Sequence, residues 1–299
     1  MSLADARKRI NVLEHFDYSL SLFESNYNEL MSVLDFMCNE RVGLELFAIV
    51  NRWKLQECQT HLGFKLHNYV CAAKSLVDHS RVLYRRVYEK QSIDFEDYEA
   101  EVKSRFEENE LSKFVEFLRT YAQHEKLPTI SSGFSFDSKS DEGFVFAVSL
   151  GSAELLCSSS IKSLPKKFIR EQGDSIDVKS VLTRYHQQIR DFYEWVKERQ
   201  SDIHREDITL FNAEYLKERQ KAVEHFVSSI PQNGHRGSIR EQLYEVLTIK
   251  DYQSLEQYSE NDGKWLEQAL IIIESEAMQK IPDHVKAYLR TQCSTVERT

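Results

Sequence analysis

"SKFVEFLRTYAQHEKLP", residues Ser112 to Pro128, decides how the rest of the chain is read. Phe114, Phe117, Leu118 and Tyr121 recur at helical spacing and form one stripe for burial. Leu127-Pro128 ends the helix, because proline lacks an amide donor and pushes the residue before it out of helical geometry. Beyond it the period changes. In "GFVFAVSL" the residues Phe144, Phe146, Val148 and Leu150 alternate with others, and "DSKSDEG" ahead of them is turn-rich. Thr129 to Leu150 therefore reads as a β-hairpin, the chief β element of the chain.

Upstream, Val12, Phe16, Leu20, Phe23, Tyr27, Leu30 and Leu34 set an amphipathic helix from Ala4 to Met37. A second helical stretch covers Val42 to Lys90, with Gly43 and Gly63 as the places for a start and a bend. A third covers Phe95 to Lys126, broken near Asn109. Downstream, helical periodicity predicts Ser152 to Glu171, Asp177 to Gln200, Asp207 to Ser229, Ser238 to Glu260 and Gly263 to Lys280, then a short helix after Pro282. The fold class is mainly α. Its expected parts are an N-terminal helical bundle (residues 1–128), the hairpin (129–150) and a C-terminal helical region (151–299).

Composition agrees with that class and excludes others. Only four prolines and nine glycines interrupt 299 residues, which favours long helices over a many-turned β fold. With 39 Lys and Arg against 48 Asp and Glu, the formal charge is −9, so no broad surface for coating nucleic acid is expected, although a local basic patch is compatible with it. The five cysteines are scattered without a CxxC pair, which suits reduced thiols in a cytoplasmic protein. "MSLADARKRINVLEHF" has no apolar signal-peptide core, and the run "ALIII" is far short of the roughly 20 residues that span a bilayer. No membrane association is expected.

Several constellations fail on geometry. Cys58, His61, His67 and Cys71 extend along about 20 Å of one helix and cannot surround one ion; His67 and Cys71 alone offer half a metal site. "QNGHRGSIRE" brings His235 and Arg236 before a helix start, but Ser238 and Glu241 match a capping box and the glycines simply make the turn. No GxSxG, P-loop or HExxH motif is present. Lys74, Asp78, Arg81 and Arg85 share a helix face, which reads as a solvated ladder or as the cationic wall of an anion site.

The opening stretch leaves Arg119 and His124 outside its apolar stripe. Histidine exchanges protons near neutral pH, and the planar guanidinium holds phosphate oxygens, so the pair suits phosphodiester chemistry. The bland reading makes Arg119 a surface ion pair with Glu116 and His124 a cation at the helix C-terminus. Five positions separate the two by about 140°, so a regular helix cannot aim both into one cleft. A distorted helix end or a second copy of the chain would be needed. Glu125, awkward beside a phosphate, is expected to turn outward or to pair with Lys126, Arg119 or a base of the Lys74 to Arg86 helix.

Arg119, four intervening residues and His124 match the R-x4-H signature of the HEPN superfamily, in which a polar residue such as asparagine commonly follows the arginine; Thr120 stands there. "FLRTYAQHEKLP" also resembles the "LRNYxxH…LP" stretch of uncharacterised bacterial helical proteins. The resemblance covers at most residues 1–128. It implies an α-helical bundle, a homodimer and, in active members, metal-independent RNA cleavage without a cofactor, with Arg119 and His124 as the catalytic pair. Thr120, Asp78, His79 and Arg81 are the expected substrate-binding neighbours. The rival expectation is a non-catalytic helical scaffold that presents its bundle or hairpin to a protein partner.

Overall fold

The computed structural model describes residues 3–137, 143–229 and 238–296. It is 79% helical, with 13 α-helices and one small antiparallel sheet among the described residues. The expected hairpin turn "DSKSDEG", and His235 and Arg236, lie mostly or wholly outside them. The chain forms two compact units, Lys8–His204 and Met1–Arg7 with Arg205–Thr299.

The larger unit contains α1 (Leu3–Cys38, from Lys8 onward), α2 (Glu40–Phe47), α3 (Arg52–Tyr84), α4 (Tyr98–Val102), α5 (Glu110–His124), β1 (Ile130–Phe136), β2 (Phe144–Gly151), α6 (Ser152–Leu156), α7 (Ser163–Glu171), β3 (Ser175–Asp177) and α8 (Val178–Ile203). Side-chain caps set three of the helix starts. Asn39, Asn109 and Asp177 accept from Val42 N, Ser112 N and Ser180 N, satisfying amides that have no partner within the helix. Asn109 thus marks the expected break before α5. At the other end the Glu125 and Lys126 amides both return to Tyr121 O, and the chain leaves through Leu127-Pro128.

The sheet order is β1-β2-β3, antiparallel throughout, with Ile130 opposite Leu150, Phe136 opposite Phe144 and Leu150 opposite Ile176. Phe146, Val148 and Leu150 are buried, and the residues between them are not. Val148 and Leu150 enter one core with Phe23 and Leu34 of α1, Tyr69 and Leu76 of α3, Phe114 and Tyr121 of α5, and Leu182, Ile189 and Phe192 of α8. The division expected at residues 128 and 150 therefore differs from the observed one. The inward face of β2 and the apolar stripe of α8 close a core that α1, α3, α4 and α5 share, so the hairpin and residues 152–204 belong with them.

Some local expectations also change. α3 passes through Gly63 without interruption, and Gly43 lies inside α2 rather than at its start. A Cβ at Gly43 would stand 2.5 Å from the Phe146 ring, so the glycine serves a close approach. The single helix expected over Ser152 to Glu171 is two, and β3 is an added short strand.

The smaller unit carries α9 (Arg205–Ser229), α10 (Ile239–Gln242), α11 (Ile249–Leu255), α12 (Asp262–Ala277) and α13 (Asp283–Val296) around Phe226, Leu243, Trp265, Leu270, Ile273 and Leu289. The helix expected over Ser238 to Glu260 is broken into short pieces, because Ser238/Glu241 and Thr248/Asp251 each form a capping box that starts a new one. Arg219 is buried, with Nη2 2.7 Å from Glu276 and 3.6 Å from Asp251. No described helix is long and apolar enough to cross a membrane.

Candidate anion cleft

α5 lies between α3 and α7, and its sequence divides it by face. Phe114, Phe117, Leu118 and Tyr121 are buried, as the stripe requires. Arg119 points instead into a small cavity lined by Val70, Ala73, Lys74, Val77 and Arg81 of α3, Ser112, Lys113, Val115 and Glu116 of α5, and Phe106 and Tyr185. Its volume of about 50 Å³ has room for on the order of three or four waters, a scale that suits one tetrahedral oxyanion at its mouth.

Four cations and one carboxylate line this cavity. Lys113 bonds Glu116 at 2.9 Å, Lys74 bonds Asp78, and Arg81 approaches Glu107 at 4.0 Å. Arg119 is half-buried and makes no hydrogen bond or ion pair among the described residues. The potential is legible in Glu116. Burial pushes its carboxyl up, yet the Lys113 hydrogen bond and the charges of Lys113, Lys74 and Lys162 together hold it below the ordinary value. The field here favours negative charge.

A second pocket of about 270 Å³ shares Lys113 and Glu116 with the first and adds Phe117, Thr120, Ser160, Lys162, Ser163, Leu164 and Pro165. It opens where α7 begins, with Lys162 as an N-cap that supplies no side-chain acceptor. Pro165, at the third helical position, removes a donor that would have no partner within the helix.

The expected site residues separate under this geometry. Arg119 and Arg81 both line the first cavity beside Lys74. Asp78 neutralises Lys74 and lines neither pocket, and Arg85 lies outside both. Thr120 lines the second pocket and donates its hydroxyl to Glu116 O at 3.0 Å. His79 is exposed, with Nδ1 2.6 Å from Ser19 Oγ. His124 is exposed and lines neither pocket.

Because α5 is regular through His124, its side chain and that of Arg119 leave the helix about 140° apart, and no distorted end brings them together. Glu125 is exposed, but it accepts the hydroxyls of Ser158 and Ser160 at 2.5 and 2.8 Å, not a cation. Lys126 pairs with Glu154 at 2.9 Å, and Tyr121 Oη donates to the same carboxylate at 3.1 Å. These contacts fix the segment after α5 against α6 and the chain that follows it. The hydroxyls of Ser158 and Ser160 take the place of the cation expected for Glu125.

Lys113, Lys162 and Tyr185 escaped the sequence reading. Lys113 sits six positions before Arg119, outside the usual three or four of a helix face, and Lys162 and Tyr185 arrive from elements distant in sequence. Among the described residues no three His, Cys, Asp or Glu side chains converge to hold a metal ion. Comparison with protein-family models, with curated proteins and with solved structures finds no match to the chain.

Proposed function

We propose that the chain binds a phosphate of RNA in the cleft between α3 and α5, with Arg119 as the principal ligand and Lys74, Arg81 and Lys113 supplying the field. The observation that carries this reading is Arg119 itself, half-buried and unpaired beside three other cations. An arginine withdrawn from water without a carboxylate is a receptor for an oxyanion, and its planar fork suits phosphate. RNA is the class to which the R-x4-H resemblance points. Cleavage within one chain gains no support, because His124 faces away from this cleft. A metal-independent ribonuclease would have to bring His124 from a second copy, so the catalytic form of this proposal is a homodimer with composite sites.

The test is RNA binding by fluorescence anisotropy and cleavage on denaturing gels, both with EDTA. Arg119→Ala should weaken binding about tenfold or more, whereas His124→Ala should leave binding intact and remove cleavage. Mixing the two variants should restore about a quarter of wild-type cleavage, since half of randomly exchanged dimers carry one intact composite site of two. RNA binding that is indifferent to Arg119 would overturn the cleft reading. Binding without cleavage would remove the ribonuclease alone.

A second reading, a scaffold for a protein partner, is favoured by exposed apolar side chains near the hairpin. Ile49, Val50 and Trp53 are 92%, 79% and 61% exposed, and Phe136 is 76% exposed. Phe47, close to the first three in sequence, places its ring 5.1 Å from Phe134 of β1. Such a concentration of exposed apolar residues is a common mark of protein contact. Trp53→Ser with Phe136→Ser should abolish partner capture while leaving RNA binding unchanged.

A further inference from the structure

The half metal site of the sequence acquires a third member that is not a metal ligand. Cys71 Sγ lies 3.6 Å from His67 Nε2, and Gln123 Nε2, from the last turn of α5, donates to the same sulfur at 3.1 Å. His67 Nδ1 is buried and has no hydrogen-bond partner, so Nε2 is the ring atom engaged in any proton exchange. Cys71 and His67 are both partly open to solvent.

An imidazole nitrogen on one side of a thiol and an amide donor on the other is the arrangement in which a base can take the thiol proton during attack and a donor can steady the sulfur. The basic cleft adjoins it. Lys74 is one turn along α3 from Cys71, and Arg119 is one turn before Gln123 on α5. The other described thiols lack this setting. Burial pushes the Cys38 and Cys58 thiols up, Cys293 is buried, and exposed Cys157 has no hydrogen bond to its sulfur among the described residues.

We propose that Cys71 is a hydroperoxide-reactive thiol, with His67 as the proton acceptor and Gln123 as the positioning residue. Sulfur attacks the nearer peroxide oxygen; an S–O bond forms as the O–O bond breaks. The thiol proton passes through His67 Nε2 to the departing alkoxide, giving Cys71 sulfenic acid and an alcohol, or water from hydrogen peroxide. Sulfur is oxidised by two electrons and the peroxide is reduced by two. The inference does not depend on RNA binding.

The full chain is treated with stoichiometric hydrogen peroxide, sulfenic acid is trapped with dimedone, and labelling of the Cys71 and Cys157 peptides is followed by mass spectrometry. Cys71 should label about 10²-fold faster than Cys157, the lower end of a general-base contribution. His67→Ala should remove that advantage and free imidazole should return part of it, an effect that lost packing alone would not show. His67→Gln, which keeps the helix and much of the bulk, should be as slow as His67→Ala. Cys71 labelling no faster than Cys157, wild-type rates in both His67 variants, or a loss that imidazole does not recover would each overturn the proposal.

Discussion

Replacing Gly43 by alanine sets two effects of opposite sign against each other. Gly43 is inside α2, where alanine is favoured over glycine by about 1 kcal/mol. The new Cβ would stand 2.5 Å from Phe146 Cγ and Cδ2 and 2.7 Å from Cδ1, against about 3.5–4.0 Å for carbons in contact. The ring must therefore retreat by about 1 Å. It is hemmed by Phe47 and Phe134, whose centroids lie 5.5 and 5.8 Å away, so overpacking should cost about 1–3 kcal/mol. The net expectation is a loss of about 0–2 kcal/mol. In a Phe146→Ala background the obstruction is gone, and Gly43→Ala should stabilise by up to about 1 kcal/mol. The coupling between the sites is then about 1–3 kcal/mol, measured by urea unfolding of the four proteins at 222 nm. Coupling below about 0.5 kcal/mol would refute the argument that the Phe146 ring demands glycine.

Three further outcomes can be checked by equilibrium unfolding. Glu154→Ala should cost about 1–2 kcal/mol, chiefly through Tyr121 Oη and the Thr129 amide rather than exposed Lys126, and Lys126→Ala should cost much less. Burial is the main reason that the His186 imidazole lies below its ordinary 6.5, while Glu24 opposes the shift; the unfolded chain then binds more protons, so stability should fall as pH drops below 6.5, and His186→Phe should flatten that slope. Burial, followed by the Asp251 charge, raises Glu276 above 4.5, with Arg219 opposing. The native state binds more protons there, so stability should fall as pH rises from 4.5 through the raised value. Glu276→Gln should remove that dependence, followed by Trp265 fluorescence in a Trp53→Phe/Trp195→Phe background.

Features written in neighbouring residues were legible. The stripe Phe114, Phe117, Leu118 and Tyr121 and the alternation from Phe144 to Leu150 gave helix and strand, because one face of each is apolar. Asn109 could be read as a break, and Ser238 with Glu241 as a cap, since both act within one helical turn. Gly43 was misread as a start because its reason, the Phe146 ring, lies on another element. The Arg119 cleft was half legible. Lys74 and Arg81 announce themselves at i, i+7 on α3, but Lys113 is six positions from Arg119, outside the usual helix-face spacing, and Tyr185 joins only through packing, as Lys162 does in the second pocket. Likewise Gln123, the residue that completes the Cys71 cluster, is an ordinary glutamine until α5 lies beside α3.

The place of α8 in the larger core has a consequence for synthesis on the ribosome. Phe23 and Tyr27 of α1 stack on His186, with centroids 4.9 and 3.6 Å from its ring, and Glu24 bonds the same imidazole across a sequence separation of 162. At about 5–20 residues per second, that partner follows by roughly 8 to 30 s. During that interval the α1 face later covered by α8 is a hydrophobic, aromatic surface that lacks its native cover. A nascent chain halted at residue 128 should therefore be a client for chaperones, and release from them should coincide with the emergence of residues 178–203.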